Sequence, residues 1–180
     1  VRLRAHPWRF GVIAALALSI GLGAGIVVLQ SNVLAGLMLS GVRPDLMLIL
    51  VVYFANANGS LPGQVTGFAS GLVRDLITLS PLGFNSLIYA TVGLMYGGTK
   101  DKVFMDPILV PMLMTLAATI IKALLASLLS LVFGFDDVAG SIWSTAFLIE
   151  AGMNALLTPI LFALFRVVRP LKIRPPGSTA

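Results

Sequence analysis

A chain of 180 residues that is 58% hydrophobic and 11% charged, with a mean hydropathy of +1.00, is too apolar for a water-soluble domain and reads as an integral membrane protein. Its formal charge of +5 does not point to nucleic acid, because the basic residues gather at the ends of apolar runs. The absence of cysteine excludes disulfides and thiolate metal sites, and the single histidine, His6, stands beside Pro7, Trp8 and Arg9, where a headgroup-facing role suits it better than metal ligation. No cofactor and no metal ion are expected.

The first apolar run, Phe10 to Leu29, follows Arg2, Arg4 and Arg9 and has no small-residue cleavage site behind it, so it reads as a retained span. Gly11, Ala15, Ser19 and Gly23 recur every four residues along it, with Gly21 and Gly25 on a second track. Such stripes let two helices approach closely, either within one bundle or against a partner's helix. Gln30 to Val42 reads as a connection with a short interfacial helix near Val33 to Leu39.

Arg43, Pro44 and Asp45 form a helix start signal, with Pro44 expected at the first helical position and Asp45 near the positive end of the helix dipole. The second span, Asp45 to Ala57, is short, about 20 Å at 1.5 Å per residue, so protein or water must cover its ends. Asn56 to Ser60 turns the chain into a third span, Leu61 to about Leu79, in which Gly63, Gly67 and Gly71 form a stripe ending at Asp75. That stripe is the expected docking groove for a partner's helix. Ser80, Pro81 and Gly83 break the chain. Leu82 to Gly97 makes a fourth span, with Ala90, Gly93 and Gly97 on its small face. Pro107 to Phe133 is the fifth, Ser141 to Phe165 the sixth, and Pro159 is expected to bend the last.

In this six-helix bundle Arg2, Arg4, Arg9, Lys100, Lys102, Arg166, Arg169, Lys172 and Arg174 fall on one side, which puts both termini in the cytoplasm. Residues 1–170 form one domain, and 171–180 a disordered tail.

Ionisable residues in spanning helices need a partner or a wet cavity. Lys122 lies 15 residues before Asp137 and Glu150 lies 13 after it, so an antiparallel pair of helices sets them at similar depth, with Asn154 one turn further along. Asp45 and Arg74 stand 14 and 15 residues either side of Gly59 and are likewise expected to meet, with Arg43 and Asp75 extending the cluster. Register-fixing ion pairs are the plain reading. A proton or ion pathway needs a chain of such groups through the bilayer, and none is evident. An aspartyl protease reading of Asp45 and Asp75 fails on the arginines beside them, and a serine and histidine dyad fails because His6 lies outside the spans.

The ordered set Arg43-Pro44-Asp45, Gly67-Phe68-x-x-Gly71-x-x-x-Asp75-Leu76, Leu82-Gly83, Asn154, Pro159 and the basic end Arg166 to Arg169 resembles the rod shape-determining protein MreD family. That resemblance implies a non-catalytic inner-membrane component of the bacterial cell-elongation machinery, acting with MreC, the MreB filament, RodA and its penicillin-binding transpeptidase. The family also looks like the S-components of energy-coupling-factor transporters, which implies an alternative: a vitamin-binding subunit. Such a pocket would draw on Asn85, Tyr89, Asp75, Arg74 and Trp143. In the scaffold reading Gly11, Ala15, Ser19, Gly63, Gly67 and Gly71 hold the transmembrane helix of MreC.

Overall fold

The computed structural model describes residues 17, 20, 21, 23, 25, 41–78, 80–100, 108–134 and 144–167. They form five helices: α1 (Leu46–Asn58), α2 (Ser60–Ile77), α3 (Phe84–Gly97), α4 (Leu109–Phe133) and α5 (Thr145–Val167). Ala17, Ile20, Gly21, Gly23 and Gly25 are also helical. Gly11, Ala15, Ser19, the segment Val33 to Leu39, Trp143 and the tail lie outside the described residues.

The sequence of α1, LMLILVVYFANAN, has apolar side chains all round and no polar stripe. A helix of that kind is stable only when covered on every side. Met47 through Val52, with Phe54 and Ala55, are fully buried, and α2, α3, α4 and α5 all contact α1. Its 13 residues therefore need not reach across a bilayer alone. The helix begins differently from expectation. Asp45 is the N-cap, its carboxylate accepting the Leu48 N–H at 3.1 Å, and Pro44 precedes it. From that position, just outside the first turn, the short side chain can reach an otherwise unsatisfied N–H.

Gly59, at φ 103°, makes the turn into α2. Along α2 and α3 the two small-residue faces meet each other. A Cβ on Gly63 would fall 2.5 Å from both the Gly93 carbonyl oxygen and the Ala55 Cβ. One on Gly67 would overlap the Tyr89 carbonyl, and one on Gly71 would lie 2.5 Å from the Asn85 carbonyl oxygen and the Ser86 nitrogen. The expected docking groove is thus filled by the chain's own α3. Glycine is needed here because the backbones, not side chains, are in contact.

Helices α4 and α5 have 25 and 23 residues, about 38 and 35 Å at 1.5 Å per residue, and both are long and apolar enough to cross a membrane. They pack against each other and against the α1–α3 body through one face each. Leu113, Ile120, Leu124, Leu128, Leu156, Ile160 and Leu164 point outward. Lipid is the medium in which such faces cost nothing. Pro111 is buried in the first turn of α4, where its missing N–H is harmless, and α5 remains helical through Pro159.

Candidate functional site: a buried charge network centred on Asp45

Because α1 is short, its N-cap lies inside the bundle. The Asp45 side chain is 1% exposed, and donors from three other helices surround it. Arg74 on α2 approaches Oδ1 with Nη1 at 2.8 Å, and Lys122 on α4 approaches Oδ2 with Nζ at 2.7 Å. The Tyr89 hydroxyl on α3 donates to Oδ2 at 2.7 Å and lies 2.5 Å from Arg74 Nη1. Lys122 also pairs with Glu150 on α5.

Asn154, one turn beyond Glu150, ties the backbone into the same site. Its Oδ1 accepts the Asp45 N–H at 2.7 Å, while its Nδ2 donates to Thr119 on α4 at 3.1 Å. Thr119 in turn donates to the Thr115 carbonyl. All five helices therefore converge on Asp45, four through its carboxylate and α5 through its backbone N–H. Its position follows from the packing below it: the glycines of α2 draw α3 close enough for Tyr89, fully buried, to reach Asp45.

The two expected ion pairs are both present as contacts, but they belong to a single cluster joined through Lys122 and Asp45. Arg43 is exposed and takes no part. Asp75 does something else. Its carboxylate accepts from Gly83 N at 2.9 Å, Asn85 N at 3.0 Å, Asn85 Nδ2 at 2.8 Å, Ser86 N at 3.3 Å and Ser86 Oγ at 3.0 Å. Gly83, the N-cap of α3, has no side chain to satisfy the free N–H groups of that helix. Asp75 supplies the missing cap from α2, with its charge at the positive end of the α3 dipole. Asp75 and Arg43 therefore do not extend the Asp45 cluster as expected, because Asp75 is engaged at the start of α3 and Arg43 is exposed.

Sequence reasoning missed Tyr89 as a network member and Asp75 as a cap. The signal for the cap was there: a glycine ahead of a helix, followed by Asn85 and Ser86, eight to eleven residues after a carboxylate.

Chemically, the arrangement holds charges in place. Both Asp45 oxygens carry at least two donors, and Asp45 and Asp75 have separate donor sets, so these two carboxylates do not share a proton. Among the described residues no three acidic or histidine side chains converge as metal ligands. The polar groups that a small-molecule pocket would have drawn on, Arg74, Tyr89, Asp75 and Asn85, are bonded inside the protein. A cleft of about 220 Å³ between the α2–α3 turn and the end of α4 is lined mostly by apolar side chains, including Leu82, Phe84, Leu87, Leu129 and Phe133.

The family model of the rod shape-determining protein MreD matches residues 11–168, a range that contains all five helices and the whole network. The chain belongs to the MreD family. Membership carries a role in rod-shape determination, a place in a membrane and work alongside protein partners. No curated protein and no solved structure matches the chain. Of the residues through which the MreD resemblance was drawn, Asp45 and Asn154 lie in the network, Gly67 and Gly71 set its α2–α3 frame, and Asp75 caps α3.

Proposed function

We propose that this MreD-family chain is a non-catalytic, multi-pass scaffold in the bacterial inner membrane that docks the transmembrane helix of MreC. In that role it supports cell-shape control and lateral peptidoglycan synthesis, with MreB, RodA and its transpeptidase as direct or indirect neighbours. Six spans with both termini in the cytoplasm complete the picture. The observation that carries the reading is the paired charge inside the bundle: Asp45, Arg74, Lys122 and Glu150 neutralise one another, and large apolar side chains cover the outside. A scaffold needs that division between a fixed core and a lipid-side face open to another helix.

With Gly63, Gly67 and Gly71 occupied by α3, the docking face moves to the first span. Ala17, Gly21 and Gly25 lie four residues apart, all exposed, and among the described residues nothing lies within 4 Å of a Cβ built on either glycine. On the other track Gly23, which follows Gly11, Ala15 and Ser19, is buried against Ser70 and Met47. The test is co-purification with MreC in detergent, comparing the parent with a Gly21→Leu/Gly25→Leu variant and with Gly152→Leu, an outward glycine on α5. Loss of the complex in the first variant alone supports the proposed face. Retention in both variants removes it.

A further inference from the structure

The buried network is partitioned in a way that allows it to separate without stranding a charge. Arg74, Asp45 and Tyr89 belong to the α1–α3 body, and Lys122, Glu150, Asn154 and Thr119 belong to the α4–α5 hairpin. Within the body Asp45 keeps Arg74 as counter-ion, and within the hairpin Lys122 keeps Glu150. Each set is neutral by itself. Among the described residues, the hydrogen bonds that cross between them include Lys122 to Asp45, Asn154 to the Asp45 N–H, and the Tyr96 hydroxyl to the Met114 carbonyl. If those open, Asn154 still donates to Thr119, and Tyr89 still bonds Arg74 and Asp45.

The packing follows the same division. The body is joined at backbone level through Gly63, Gly67, Gly71, Gly93 and Gly97, an arrangement that yields little without clashing. The hairpin meets it through side chains, among them Phe162 and Phe165 of α5 against Tyr53 of α1, at ring-centroid separations of 5.1 and 5.4 Å. Side-chain contacts of this kind slide and repack, as in shear motions between packed helices. Burying an ion pair is costly, and leaving one ion alone in a membrane interior is costlier still. A seam that cuts between two neutral pairs avoids that second cost.

We propose that the α4–α5 hairpin and the α1–α3 body are two rigid units, with the Lys122–Asp45 contact as a latch that opens and recloses between them. The chain contains no cysteine, so paired spin labels can be introduced without background. In lipid nanodiscs, distance distributions by pulsed electron paramagnetic resonance are measured for one pair across the seam, Leu94 on α3 with Leu156 on α5. Controls lie within the body, Leu61 with Leu94, and within the hairpin, Leu116 with Leu156; all four positions face outward. The measurement is made on the parent network and on the Lys122→Met/Glu150→Gln variant, which removes the latch and leaves both units neutral.

Expected is a second distance component or a shifted mean for the cross-seam pair in the variant, with both controls unchanged. Should that variant fail to insert, the parent decides: its cross-seam distribution must be broader than both controls. A cross-seam distribution as narrow as the controls in the parent, and unaltered in the variant where that inserts, overturns the proposal. Equal broadening of all three pairs also overturns it, because the bundle would then be loosening as a whole.

Discussion

Lys122 and Asp45, 77 positions apart in sequence, lie 2.7 Å apart across the centre of the bundle, and this one contact turns two hairpin ion pairs into a network of five helices. The Asp45 carboxylate is buried, so its charge depends on the two cations that hold it. Asp45→Asn leaves Arg74 without its counter-ion and weakens both contacts. The expected loss of unfolding free energy is about 3–5 kcal/mol, the range for breaking a buried ion pair from one side. Titration of detergent-solubilised protein with sodium dodecyl sulfate, followed by circular dichroism, measures it; a loss under about 1 kcal/mol would mark the pair as a surface-like contact.

The glycine stripe of α2 is an internal joint. Gly67→Ala drives a methyl group into the Tyr89 carbonyl and is expected to destabilise the bundle by about 1–3 kcal/mol, as overpacking does. Gly152→Ala, where nothing lies within 4 Å, should be neutral or stabilise α5 by about 0.5–1 kcal/mol through helix propensity. Equal stability of the two variants would contradict the assigned packing.

Asp75 should behave as a cap rather than as an ion pair. Asp75→Ala removes the acceptor of five hydrogen bonds and is expected to cost about 1–3 kcal/mol, with Asp75→Asn costing less because one oxygen still accepts. Hydrogen exchange provides the local readout: the amides of Gly83, Asn85 and Ser86 should lose protection first. Substitution of Arg43 should leave those amides unaffected.

Thr115 is fully buried, and its hydroxyl has no hydrogen-bond partner among the described residues. Replacing it with valine keeps the shape and removes the unpaired donor, so Thr115→Val is expected to raise stability by about 1 kcal/mol. A loss of similar size would mean that the hydroxyl is satisfied in solution.

Much of this was legible in the sequence, and the part that was not has a common cause. Counting from Gly59 and from Asp137 put Asp45 beside Arg74 and Lys122 beside Glu150, because depth in an antiparallel hairpin follows from distance to the turn. Counting cannot show how one hairpin sits against another. For that reason the contact between Lys122 and Asp45, the reach of Tyr89 and the bond from Asn154 to the Asp45 amide were out of view. The stripe of Gly63, Gly67 and Gly71 was legible as a close-approach surface, yet spacing alone does not name the neighbour. The reciprocal face of Ala90, Gly93 and Gly97 was the clue that the neighbour is internal. The helix boundaries differ where side chains decide them, at Asp45, which caps α1, and at Asp75, which caps α3 and leaves Leu82 in the turn.

The measurement that separates one network from two independent pairs is the unfolding free energy of the charge-swapped variant Lys122→Glu/Glu150→Lys, set beside Lys122→Gln and Glu150→Gln in the same micelles. An isolated pair tolerates reversal. In the network a glutamate at position 122 faces Asp45, so the swap is expected to be less stable than either single variant and below the parent by more than about 3 kcal/mol. A swapped protein as stable as the parent would contradict the network, and would return Lys122 and Glu150 to a pair that only their own hairpin requires.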